Sequence, residues 1–226
     1  MTFFVRLITE TLEGQQALAS TPQIQDGLVG RISLETYIAY LTEAYHHVKH
    51  TVPLMQAARA RLDASRARFV EALDEYIEEE TGHEAWILND IRHCGGDAES
   101  VRTGEPRAAT REMVEYVYDY IARKNPMGFF GMVLVLEGTS VRLATQGAQA
   151  VAESLNLGPQ CFSYLTSHGA LDQDHLVFFQ KLMDQVDDPE DQAAIIEVAQ
   201  GVFTRFAAVF ASIPHTQTAK EPAHVL

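Results

Sequence analysis

Three ionisable side chains sit where a helix would normally place leucine, and this constrains the chain more than any other feature of its sequence. His168, Asp172 and His175 are spaced four and three apart, so on a helix they share one face. Extended outward, that face reads Cys161, Leu165, His168, Asp172, His175, Phe179 and Leu182. Both ends of the stripe are apolar, so it points into a core. Burying such groups without partners costs several kcal/mol per ion. A metal ion removes the difficulty, because carboxylate and neutral imidazole are ligands that iron, manganese and zinc accept. A hydrogen-bonded polar layer inside a helical bundle is the alternative.

A second stripe of this kind runs along 66–93, where Phe69, Leu73, Tyr76, Ile87 and Ile91 are interrupted by Glu80 and His83. A third acid, Glu137, is the only one in the apolar stretch 129–149, among Val133, Leu134, Leu136 and Val141. The remaining pattern is helical throughout. Residues 3–19 read as one helix. Ser33 is a plausible N-cap for another that runs to about His50, with Tyr40, Glu43, His47 and His50 on one face and Leu41, Tyr45 and Val48 on the next. Further helices are expected over 109–123, from Gly158-Pro159 to about Val186, and from Asp187-Asp-Pro189 onward. The reading is about seven helices in one all-α domain spanning 1–213, with no strands, followed by a disordered tail over 214–226.

Charge narrows the function classes. A net charge of −14 argues against nucleic acid and against an anionic membrane surface. No stretch reads as the roughly 20 consecutive apolar residues that span a bilayer. The N-terminal residues lack the apolar run of a signal peptide. Cys94 and Cys161 are far apart in sequence and form no CxxC pattern, which disfavours a disulfide framework or a zinc knuckle. A cytoplasmic protein is expected.

Glu80-Thr-Gly-His83 has the Glu-x-x-His spacing by which one helix offers two ligands to a di-iron centre. Together with Glu137, His168, Asp172 and His175 it gives a set of carboxylates and imidazoles suited to two iron or manganese ions rather than one zinc. In the run Glu78-Glu79-Glu80, Glu80 is the favoured inward residue and Glu79 the reserve. His46, His47 and His50 read as surface groups or as neighbours of the ligands. Tyr76, one turn from Glu80, reads as core or as a pocket wall.

These motifs resemble the haem-oxygenase-like di-iron oxidases and oxygenases, relatives of thiaminase II and of the pyrroloquinoline quinone synthase fold. The resemblance runs from Gly30 to about Phe179. Its most specific parts are Glu79-Glu80-Thr-Gly-His83-Glu-Ala-Trp86, Glu137 in its apolar helix, and His168-x-x-x-Asp172-x-x-His175. It implies a seven-helix bundle, a homodimer, with Glu80, His83, Glu137, His168, Asp172 and His175 as metal ligands. Glu43 matches the position where several members add a carboxylate. The implied function is a non-haem di-iron oxidase or oxygenase, holding two iron ions (manganese as the substitute). It would activate dioxygen through a peroxo intermediate and oxidise a small amino-acid-like or fatty-acid-like molecule, with an external electron donor. Arg142 is the only basic residue in 129–149. The lysine that assists self-sacrificing 4-aminobenzoate formation in some members is missing there. Glu137 stands in the region where thiaminase II has its cysteine nucleophile. Substrate entry is expected near Tyr40 and Tyr45, with His47 close by. Two rival readings are a metal-free thiaminase-like binding or regulatory module and a ferritin-like ferroxidase.

Overall fold

A computed structural model describes residues 1–215, except for the side chains of 168–174. The expected tail lies almost wholly outside the described residues. Its first two residues are tied down: Thr36 donates to the Pro214 carbonyl at 2.9 Å, and His215 Nε2 lies 2.8 Å from Asp26 Oδ2.

The described chain is all helical, and it divides into more segments than seven. They are α1 (Phe3–Glu10), α2 (Leu12–Ala19), α3 (Pro22–Gly27), α4 (Leu34–Val48), α5 (Thr51–Arg59), α6 (Ala67–Glu80) and α7 (Glu84–His93). After them come α8 (Ala98–Thr103), α9 (Ala108–Arg123), α10 (Phe129–Leu155), α11 (Ser163–Met183) and α12 (Pro189–Ser212). Two of the added segments come from periodic stretches that are broken, and α3, α5 and α8 are short helices where the sequence reads as loops or a helix end. Residues 3–19 divide at Thr11. Residues 66–93 divide at Thr81 and Gly82, where the backbone turns extended and then takes φ +95°, a conformation that only glycine adopts without strain. Periodicity carries across such breaks because the core face on either side is the same.

Capping follows the sequence. Ser33 accepts from the Thr36 N–H at 3.1 Å and starts α4, and Asp188 accepts from the Glu190 N–H at 2.8 Å and starts α12. Pro53 falls in the first turn of α5, where its missing N–H costs nothing.

Helix α10 is the axis of the molecule, packed between α11 and α12. Every residue from Phe129 to Val135 is buried, which is why no polar face appears there. The approach to α12 is backbone to backbone: a Cβ at Gly131 would lie 2.4 Å from the Ile195 carbonyl oxygen and 2.6 Å from the Ala199 nitrogen. Both Pro126–Leu155 and Pro189–Ser212 are long and apolar enough to cross a bilayer by length and composition, which corrects the sequence reading. In the bundle they use that surface on each other and on their neighbours.

A smaller core joins α4, α7 and the 3-10 turn Pro159–Cys161. Here the two cysteines, distant in sequence, meet: both are buried, and the two thiols are neighbours. Burial first, then the neighbouring Cys161 thiol, pushes the Cys94 thiol up to about 12. Beside them Tyr37 donates to the Cys161 carbonyl at 2.8 Å.

Candidate metal and substrate site

The break at Thr81-Gly82 decides how the Glu-x-x-His motif works. Glu80 is the last residue of α6 and His83 is the N-cap of α7, so they do not share a continuous helix as the spacing implied. The turn nevertheless brings them together, with His83 Nδ1 2.9 Å from Glu80 Oε2 and both side chains 8% exposed. Of the three acids 78–80, Glu80 is the buried one and Glu79 is exposed. The Trp86 indole stacks on the His83 ring at 4.0 Å between centroids, fixing the ring's plane from one side.

A second carboxylate–imidazole pair faces the same region from α10 and α11. Glu137 Oε1 lies 3.8 Å from His175 Nδ1, with side chains 12% and 11% exposed. The other ring nitrogen, Nε2, lies 2.9 Å from Glu79 Oε2. Glu79 thus reaches the site through His175, the kind of contact that fixes a ligand's orientation and tautomer. Tyr76 packs edge-on against His175 at 5.7 Å. His168 and Asp172 lie on α11, but their side chains are outside the described residues.

One member of each pair, Glu80 and Glu137, lines a cavity of about 180 Å³ that runs along α10. Its α10 wall is the row Phe129, Met132, Val133, Leu136, Glu137, Ser140, Leu143, Ala144, Gly147 and Val151, one face of the helix by spacing. Glu80, His47 and Tyr40 also line it. His47 is buried, with its ring edge-on to Phe206 at 5.6 Å, and Tyr40 stacks on Phe210 at 5.6 Å. Burial, and secondarily Asp90, raises the Tyr40 hydroxyl pKa, so this phenol stays protonated at neutral pH.

Glu43 is placed elsewhere. It is buried, but its Oε2 accepts from the Thr110 hydroxyl and from the Arg107 N–H at 3.1 Å, and the Arg107 guanidinium lies 3.7 Å from Oε1. These contacts join α4 to the start of α9. Its position on the polar face of α4 gave no hint of this, since the partners come from residues more than sixty positions away. His46 is also buried, where the sequence left a surface group or a neighbour of the ligands open. Burial, and then Lys49 (Nζ 3.1 Å from Nδ1), lowers its pKa to about 4.

Sequence reasoning missed Asp90. It is fully buried on α7, and accepts from the Ser163 and Tyr164 N–H groups at 3.0 and 2.8 Å and from the Ser163 hydroxyl. It therefore caps α11, the helix that carries His175, from another element. An acid on the inward side of 84–93 was the available signal.

Among the described residues, no three of His, Cys, Asp and Glu close on one point. The chemistry of the donor set still fits iron: two largely buried carboxylates on the wall of one cavity, each beside an imidazole, from four helix ends or faces.

The model of the family described as iron-containing redox enzyme matches residues 38–208. The chain belongs to that family. No curated protein sequence matches it. Among solved structures, it is similar to a Shewanella denitrificans protein with a heme oxygenase-like fold, at 23% identity and TM-score 0.82, covering 91% of this chain and 88% of that one. It is also similar to a TenA homologue from Pseudomonas syringae pv. tomato (12% identity, TM-score 0.75, 92% and 90% covered). A third likeness is to the heme oxygenase of Leptospira interrogans (16%, TM-score 0.71, 93% and 99%). At these identities the likeness establishes the heme oxygenase-like fold and nothing finer.

Proposed function

We propose that this member of the family is a non-haem di-iron oxidase or oxygenase acting on a small apolar molecule. The observation that supports it most is that two largely buried carboxylate–imidazole pairs, Glu80–His83 and Glu137–His175, each place their carboxylate on the wall of one apolar cavity. Four ionisable groups taken out of water need compensation, and a cation supplies it. Glu80, His83, Glu137 and His175 would hold the metal, joined by His168 and Asp172 of α11. Bound iron would supply electron transfer and the reduction of dioxygen, with reducing equivalents from an external donor.

The chain's own residues have separate tasks. Glu79 accepts from His175 Nε2 and holds that ring so that Nδ1 faces Glu137. Trp86 holds the His83 ring by stacking. Phe129, Met132, Val133 and Phe206 keep water from the carboxylates and offer apolar surface to the substrate. Tyr40, protonated at neutral pH, is a hydrogen-bond donor on the cavity wall.

The test is anaerobic Fe(II) titration with metal analysis, on the wild type and on Glu137→Gln and His83→Ala. Two irons per chain in the wild type, at least one of them lost in each variant, is the expected result. Iron content unchanged in both variants would overturn the ligand assignment. No uptake by the wild type would return the weight to a metal-free binding module.

A further inference from the structure

Three polar groups on the wall of the α10 cavity make no hydrogen bond among the described residues. Two are buried atoms, Gln23 Oε1 and Ser140 Oγ. The third is the Tyr40 hydroxyl. Buried polar groups in a folded chain are almost always hydrogen-bonded, so those left open on a cavity wall are the ones a bound molecule meets.

Gln23 has its orientation fixed by its own contacts. Its Nε2 donates to the Ala211 and Ile213 carbonyls at 3.3 and 3.1 Å. A carbonyl only accepts, so the amide nitrogen faces both of them and Oε1 points away as an acceptor. Tyr40 stacks on Phe210 at the same end of α12, and its protonated phenol is a donor. An acceptor from α3 and a donor from α4 thus share one end of the cavity. That end is remote from Glu137. Helix α3 lies over Gly147, where a Cβ would be 4.0 Å from Leu28 Cδ2, and α10 rises about 15 Å from Glu137 to Gly147. Ser140, one turn beyond Glu137, lies between the two ends and can donate or accept.

The charge of the wall decides which head group fits. No lysine or arginine lines it among the described residues, and the segment His168-Gly-Ala-Leu-Asp172-Gln-Asp174 contains none. A carboxylate at the α3 end would lack a cationic partner and would offer no donor to Gln23 Oε1. An ammonium would offer no acceptor to Tyr40. A hydroxyl or a primary amide supplies donor and acceptor together and carries no charge.

We infer that the cavity takes a molecule with an apolar body and an uncharged hydroxyl or carboxamide group, held between Gln23 and Tyr40. This names the substrate class of the reading above and rests on it for the chemistry at Glu137, whereas the binding itself needs no metal.

The experiment is calorimetric titration of the metal-free full chain, so that no metal ion can hold a carboxylate. The probes are octan-1-ol, octanamide, octanoate and 1-methoxyheptane, an ether that accepts but does not donate. The alcohol and the amide should bind saturably, one per chain, at least about fivefold more tightly than the ether, the effect of one hydrogen bond. Octanoate should bind more weakly still. Gln23→Met should weaken the alcohol and the amide about fivefold and leave the ether unchanged, a split that a merely structural role would not produce. Tyr40→Phe should weaken all three neutral probes. Octanoate within twofold of the alcohol, equal losses of alcohol and ether in Gln23→Met, or no saturable binding of either the alcohol or the amide would each overturn the inference. Iron uptake by a chain that binds no probe defeats this inference alone, and probe binding by a chain that takes up no iron defeats only the metal reading. Thermal melts establish that each variant is folded before it is scored.

Discussion

Replacing Asp90 with alanine tests how this fold holds α11 in place. Asp90 reaches from α7 to the first turn of α11, accepting the N–H groups of Ser163 and Tyr164 and the Ser163 hydroxyl. Asp90→Ala leaves two N–H groups at that half-buried helix start without the partner they have now. Each lost buried hydrogen bond costs about 1–3 kcal/mol. Some of this is returned, because burial raises the Asp90 pKa above its ordinary value against the pull of those same bonds, so the ionised carboxylate is itself costly. The net is about 2–4 kcal/mol, somewhat above an ordinary N-cap loss. At about 2–4 °C per kcal/mol for a chain of this size, the melting temperature should fall by about 5–12 °C. Asp90→Asn keeps the shape but aims an amide donor at one of the N–H groups, and should lose about half as much. Circular dichroism melts give the shift, and hydrogen exchange at Ser163 and Tyr164 locates it. A fall of under about 2 °C, with those two amides as protected as before, would refute the claim that Asp90 anchors α11.

Two further outcomes follow from groups outside the cavity. The folded His46 imidazole has its pKa lowered to about 4, by burial first and Lys49 second. Between the ordinary value of 6.5 and about 4 the unfolded chain takes up a proton that the folded chain refuses. Stability should therefore drop as pH falls through that window, by up to about 3 kcal/mol before screening reduces it. Urea unfolding at a series of pH values should show this slope flattened in His46→Gln, and an unchanged slope would refute it. Glu43→Gln weakens the tie to Thr110 and Arg107, so it should cost about 1–2 kcal/mol of stability while leaving iron content as it was. Lost iron would reinstate Glu43 as a ligand.

Much of the architecture was legible because apolar periodicity reports burial directly. Ser33, Asp188, the core stripe of α10 and the inward turn of Glu80 all follow from local spacing and capping chemistry. The breaks at Thr11 and Gly82 were not legible, because the core-facing positions on either side continue in phase. Glu43 was incompletely legible for a different reason. An inward acid on a helix states only that a partner exists, and here the partners are Thr110 and Arg107 rather than a metal neighbour. For His46 the sequence left a surface group or a neighbour of the ligands open, and the burial of α4 on that side rules out the first.

What the sequence determined by itself is that the chain is helical and that Glu80, His83, Glu137 and His175 turn inward, since both depend on residue type and near-neighbour spacing. Tertiary structure alone decided which of these groups meet. The Glu137–His175 approach, the Glu79 contact to the far side of that ring, the Asp90 cap and the cysteine pair all join residues tens of positions apart. The cavity along α10 is of the same kind, because an empty space belongs to the helices around it and to no single stretch of chain.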